Sequence, residues 1–188
     1  MDKRVKGVFF IDYVRMMRRR PDIEWSKYLR PEDQRFLTER IEDSEWYPFE
    51  AFERMGLAII TEIAGGDFEG PYLWGRASVD GLSAIHESLV CHDDPMVSLM
   101  RFQVLRTSFF NFDPVVFESI TGNRAIMKIE YGMCGIAEHA ATGQTLGYFE
   151  RILELSGACN VQHRYLGRIW EGDPITRLAM TWEEGSGH

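Results

Sequence analysis

The 188-residue sequence contains no apolar run near the roughly 20 residues that span a bilayer, and its N-terminus, MDKRVKGVFF, lacks a signal-peptide layout. A soluble, cytoplasmic protein with no membrane partner is the expectation. Cysteine is scarce: Cys91, Cys134 and Cys159 lie far apart, without a CxxC pair. That spacing excludes a disulfide framework or a zinc ribbon and leaves three buried or half-buried free thiols. Basic residues are in deficit, 21 Lys and Arg against 29 Asp and Glu, for a net charge of −8. Nucleic-acid binding needs a concentrated basic face, so no nucleic-acid partner is expected. The one basic cluster, Arg15 to Arg20 in RMMRRRP, is soon answered by Asp22, Glu24, Glu32 and Asp33, and reads as a solvated helix end.

Catalytic signatures are missing too. There is no Gly-x-Ser-x-Gly elbow, phosphate loop, His-Glu-x-x-His pair or dinucleotide fingerprint. Cys134, next to glycine near a helix start, is a candidate nucleophile, but no base can be assigned to it and a structural thiol is the preferred reading. Asp93-Asp94 and Glu183-Glu184 read as helix capping and a frayed end. The expectation is a chain that is not an enzyme and holds no metal or cofactor.

What is present is a core. With 45% hydrophobic and 13% aromatic residues, the chain suffices for one domain, 1–184. The tail, Gly185-Ser-Gly-His188, reads as a linker and the start of an affinity tag. Val5, Val8, Phe9, Tyr13 and Met16 recur at helical steps up to Pro21. Short helices follow around Trp25–Tyr28 and after Pro31. Pro48 opens a longer helix, through Phe52, Met55, Ile59, Ile60 and Ile63, to a stop at Gly65-Gly66. Further helices are predicted from Tyr72 to Leu89 and, after Asp-Asp-Pro, from Met96 to Phe110.

Beyond Asp113-Pro114 the period changes. PVVFESI and AIMKIEYG, joined by TGNR, read as a hairpin. Gly135 to Gly157 forms one long helix with Ile136, Ala140, Gly143, Leu146, Phe149, Ile152 and Leu153 as its buried stripe. Gly143 and Gly147 let that helix lie close against the sheet. NVQHRYLGRIW and PITRLAMTW make a second hairpin around Glu-Gly-Asp-Pro. The order gives an α+β class: N-terminal helices, then hairpin-helix-hairpin forming one antiparallel sheet.

That order, with these words, resembles the superfamily joining haem nitric-oxide/oxygen binding (H-NOX) domains, 4-vinyl reductase domains, sensor domains of aromatic-responsive activators, and trafficking-particle subunits. The opening VKGVFF is similar to the KG-plus-apolar start of the haem members. WYPFEAF, at Trp46 to Phe52, is similar to their tyrosine-proline helix entry. GYFERILELSG, Gly147 to Gly157, resembles the helix before the final hairpin, and GDP with ITRLAMTW its closing turn and strand. An uncharacterised paralogous family of myxobacteria is related to the same scaffold.

In the haem members a histidine on the helix before the first hairpin ligates iron, and a Y-x-S-x-R motif holds the propionates. Here Met96 to Phe110 contains no histidine. Tyr131 matches the motif's tyrosine, but Met133 stands at the serine position and Gly135 at the arginine position. Neither can hold a carboxylate, so haem is not expected. The other histidines offer no replacement: His86 reads as hydrogen-bonded at the core boundary, His92 as surface, His139 as paired with Glu138 and partly in water, and His163 as an inward, hydrogen-bonded residue. Met100 reads as core packing.

Two functions remain. One is a non-catalytic regulatory or protein-interaction domain in a bacterial signalling pathway, with a protein partner or self-association through Phe10, Met17, Trp25 and Trp46. The other is a sensor for a small apolar ligand in a cavity between helices and sheet. Its candidate lining is Trp74, Phe102, Phe117, Tyr131, Tyr165 and Trp182, since apolar pockets need aromatic walls with few polar tips. A haem-based sensor or reductase-like enzyme is the weaker alternative.

Overall fold

The computed structural model describes residues 2–83 and 88–185, so His86 and the end of the tail lie outside the described residues. The chain divides into two compact units: residues 1–68 with 107–112, and residues 69–106 with 113–188.

The first unit is built on β1 (Arg4–Lys6), α1 (Gly7–Arg18), α2 (Pro31–Gln34), β2 (Trp46–Pro48) and α3 (Phe49–Glu62). Strands β1 and β2 pair antiparallel, with Val5 opposite Tyr47. The sequence places Val5 in the first helix; the structure makes it a strand residue, and its other side bridges Phe110. The reason lies in the helix start. The Gly7 and Val8 amides donate to the carbonyls of Glu45 (2.9 Å) and Asp43 (3.0 Å), which satisfies two of the donors that a helix N-terminus leaves open. A side chain at Gly7 would overlap the Glu42 carbonyl, so only glycine admits that loop. Pro48 ends β2 and caps α3 rather than sitting inside it. At the other end, Gly65 and Gly66 take positive φ, and the Gly66 amide returns to the Ile60 carbonyl at 2.9 Å.

Three of the four residues proposed above as an association surface are core. Phe10 and Met17 are both 0% exposed, and Trp25 is buried with its indole N–H on the Met17 carbonyl at 3.0 Å. Phe10 stacks on Tyr47 at 4.6 Å and meets Phe36 edge-on at 5.0 Å. Trp46 alone is half-buried, with the Lys6 ammonium 4.4 Å above its ring. Phe10 and Met17 fell off the main stripe because α1 is covered on more than one side. The basic cluster ends as expected in local contacts: Arg20 pairs with Asp22 at 2.7 Å, and Arg18 donates to the carbonyls of Leu37 (2.9 Å) and Phe36 (3.0 Å).

The second unit carries α4 (Glu69–Ser83), α5 (Pro95–Leu105), β3 (Val115–Thr121), β4 (Arg124–Ile129), α6 (Gly135–Leu155), β5 (Ala158–Gly167) and β6 (Thr176–Glu184). The four strands form one antiparallel sheet in the order β3-β4-β6-β5. The class is α+β, as the pattern of periods implies. Asp94 caps α5, its carboxylate accepting the Val97 amide at 2.9 Å. The helix stops at Leu105, short of the predicted Phe110, whose segment belongs to the first unit. Met100, expected in the core, is exposed on this helix. Leu178, Met180 and Trp182 are buried along β6, while Arg177 is half-buried and Thr181 exposed, an alternation broken only by Ala179, which is buried on the opposite face.

Helix α6 departs from expectation in its stripe and in the role of Gly147. Ile136, in the first turn, is exposed. Gly147 serves a helix rather than the sheet: a side chain there would overlap the Tyr72 carbonyl of α4, and one at Gly75 would overlap the Gln144 carbonyl of α6. The two helices therefore cross at backbone contact. Of the cysteines, Cys91 is half-buried, but Cys134 and Cys159 are exposed, because Cys134 precedes the helix and Cys159 lies on the edge strand.

Candidate functional site

Four aromatic rings pack edge-on inside the second unit. Phe102 on α5 lies 4.7 Å from Phe149 and 5.7 Å from Tyr148, both on α6. Phe117 on β3 joins them, 5.2 Å from Phe149 and 6.4 Å from Phe102. Tyr131, just after β4, is buried and reaches the same helix through its hydroxyl, 2.7 Å from Thr145 Oγ1. The Thr145 proton goes to the Ala141 carbonyl at 2.8 Å, so the Tyr131 hydroxyl is the donor of the pair. Burial pushes the Tyr131 phenol up to about 12; the bond to Thr145 opposes that shift and the Glu138 charge adds to it.

Two hydroxyls on α6 have no hydrogen-bond partner. Thr142 is 0% exposed and Tyr148 6%, and neither Thr142 Oγ1 nor the Tyr148 hydroxyl meets a protein donor or acceptor. Burial, and to a smaller degree Tyr131, raises the Tyr148 phenol well above its ordinary range, so it stays a protonated donor. Thr142, Thr145 and Tyr148 were not singled out from sequence, whereas Phe149 was expected on the buried stripe and Glu138 beside His139. The signal was there: hydroxyls at positions 142, 145 and 148 of an otherwise apolar helix face.

Of the six predicted lining residues, Phe102, Phe117 and Tyr131 come together on this cluster, and Trp182 is buried on β6. Tyr165 belongs to a second group at the sheet edge, 5.7 Å from Trp170, with the Arg168 guanidinium 4.9 Å from its ring and His139 stacked on Trp170 at 4.1 Å. Trp74 is half-buried on α4.

The Tyr-Gly-Met-Cys-Gly loop is organised by Glu138. Its carboxylate is 2% exposed and accepts the Tyr131 amide on Oε1 at 2.7 Å and the Met133 amide on Oε2 at 2.8 Å. Glu138 therefore turns inward to the loop that precedes its own helix, where a negative charge near a helix N-terminus is favoured. Sequence reading paired it with His139, the histidine being expected partly in water.

On the α4 side, Glu150 accepts a bond from the Tyr72 hydroxyl and lies 2.8 Å from His163 Nδ1 and 3.8 Å from Arg76; Arg76 also forks onto Glu154 at 2.6 and 3.0 Å. His163 is thus an exposed partner of a carboxylate, not an inward residue. Burial alone would raise the Glu150 carboxyl, but the bonds from His163 and Tyr72, with the charges around it, hold it below its ordinary 4.5. A depressed carboxyl contributes stability above its unfolded value and loses it as pH falls through the folded one. Glu150→Gln is accordingly expected to melt below the parent at pH 7, with the gap closing as pH falls below the ordinary 4.5 and through the depressed folded value; a gap independent of pH would show that the carboxylate charge is not what matters.

Comparison with known proteins fixes the scaffold. The H-NOX protein of K. algicida, in its unliganded Fe(II) form, superimposes with a TM-score of 0.67 over 97% of this chain and 99% of its own, at 12% identity. The S. oneidensis H-NOX protein in the Fe(II)NO state gives 0.66 over 95% and 99%, at 11% identity. This chain has the H-NOX fold. No family model matches the sequence. Among curated proteins, a magnesium-chelatase subunit of Cereibacter sphaeroides is 34% identical over 98 residues, 52% of this chain but 7% of that protein's length. No described helix is long and apolar enough to cross a membrane. Among the described residues no cluster of three or more His, Cys, Asp or Glu side chains is arranged to hold a metal.

Proposed function

We propose that this chain is a non-catalytic sensing domain that uses the H-NOX scaffold to bind a small organic ligand in place of haem. The observation that carries the reading is Glu138. Its buried carboxylate takes the amides of Tyr131 and Met133 and sets a negative charge in the loop that resembles the propionate-holding motif. Haem propionates are anions; beside a buried carboxylate, with methionine and glycine at the serine and arginine positions, they would meet repulsion rather than neutralisation. The residues of this loop do not fit haem.

Ligand binding gains on self-association because Phe10, Met17 and Trp25 are committed to their own core, while two hydroxyls in the second unit lack partners. The reading is tested by expression with haem supplementation, followed by absorption spectroscopy and by mass spectrometry under native and denaturing conditions. The expected result is no Soret band and a small-molecule mass difference that denaturation removes. A stoichiometric Soret band would overturn the haem-free assignment.

A further inference from the structure

We infer that the outer face of α5 docks a second copy of this chain, the two helices packing antiparallel about a twofold axis near Met100. The inference is independent of what the aromatic cluster binds. Helix α5, PMVSLMRFQVL, has Arg101 as the one charged residue in its eleven. Its inner face buries Ser98, Leu99 and Phe102. Its outer face is apolar as well, at helical steps. Met96 and Val97 are half-buried, Met100 is 45% exposed and Val104 77%, the most exposed large hydrophobic side chain among the described residues. A helix that is apolar all round belongs in an interior, yet this one has an open side. Arg101 does not interrupt the stripe, because its guanidinium turns back to the carbonyls of Ser88 (3.1 Å) and Val90 (3.3 Å).

Charge selects the occupant. The stripe itself carries none, so a strongly acidic or basic partner finds no complement on it. At its ends the helix is bipolar: Asp93 and Asp94 stand at the start, and Arg106, paired with Asp113 at 2.8 Å, caps the finish. Two antiparallel copies bring the acidic end of each towards the basic end of the other, and their helix dipoles run in opposition. Centred on Met100, the same arrangement sets Met96 beside Val104 of the other copy, four residues to either side. Methionine, unbranched and adaptable, suits such a self-complementary seam. Three turns of helix cover less than the roughly 800 Å² per partner of a stable dimer, so the pair is a weak one.

Sedimentation equilibrium of the full chain over rising concentration reads the association. The parent is expected to approach twice its 21.8 kDa mass by about 0.5 mM. Met100→Lys and Met100→Glu each set two like charges on the twofold axis and are expected to stay at 21.8 kDa. Mixed in equal amounts they pair lysine with glutamate, and the doubled mass is expected to return. Ile136→Lys, a charge on a comparably exposed residue of α6, is expected to leave association unchanged. Circular dichroism establishes that each variant is folded. A dimer that survives both Met100 variants, a mixture that stays monomeric, or a loss matched by Ile136→Lys would overturn the inference. A parent that stays monomeric throughout would overturn it too, and would leave the face to a partner of different sequence.

Discussion

Trp182→Ala is expected to destabilise the second unit by about 3 to 5 kcal/mol, the range for truncating a large buried aromatic. Trp182 is 5% exposed on β6, on the face that also buries Leu178 and Met180, and its amide donates to the Asn123 carbonyl at 3.1 Å. Alanine keeps that backbone bond and leaves a cavity the size of an indole. Strand β6 is paired on both sides, by β4 and β5, so it cannot collapse inward without breaking two ladders. The cost should therefore sit at the upper part of the range. Urea unfolding followed by far-ultraviolet circular dichroism, which does not depend on the lost indole, gives the shift in midpoint. An unchanged midpoint would mean that the side chain is not part of the core.

How much of this was legible in the sequence depended on whether local pattern or long-range contact decided each feature. The change from helical to alternating period located the hairpins and α6, and the register that put Leu178, Met180 and Trp182 inward was readable because period two leaves only two faces. The first strand was not readable: three residues, Arg4–Lys6, became a strand because Tyr47 and Phe110 lie on either side of Val5, and both are distant in sequence. The aromatics of the first unit were misjudged for a related reason. A helix enclosed on several sides carries apolar residues off its main stripe, and a single-stripe template reads these as surface.

At the candidate site, Met133 and Gly135 could be read directly at the positions where the resembled motif has serine and arginine. The bonds of Glu138 could not, since nothing local says that a helical glutamate turns back to two amides of the preceding loop. Tyr148 and Thr142 were hidden by what they lack. A sequence can place a hydroxyl on an inner face, but only the assembled unit shows that no protein partner reaches it.

Gly75→Ala is expected to cost about 3 kcal/mol, although alanine is the better helix former by about 1 kcal/mol. The added methyl would overlap the Gln144 carbonyl carbon and oxygen, and backbone cannot rotate away as a side chain would. Helices α4 and α6 must part to admit it. Parting them strains the contacts that flank the crossing: the Arg76 fork on Glu154 and the bond from Tyr72 to Glu150. Gly147→Ala meets the Tyr72 carbonyl from the other helix and should lose a similar amount; the double variant should lose less than the sum, because the helices separate once. Gly81, on the same helix, supplies the control. No described atom lies within 4 Å of a side chain there, so Gly81→Ala should be neutral or stabilising by up to about 1 kcal/mol. Thermal melts of the four variants separate packing from propensity: a Gly75→Ala protein as stable as Gly81→Ala would show that the helices do not cross at backbone contact.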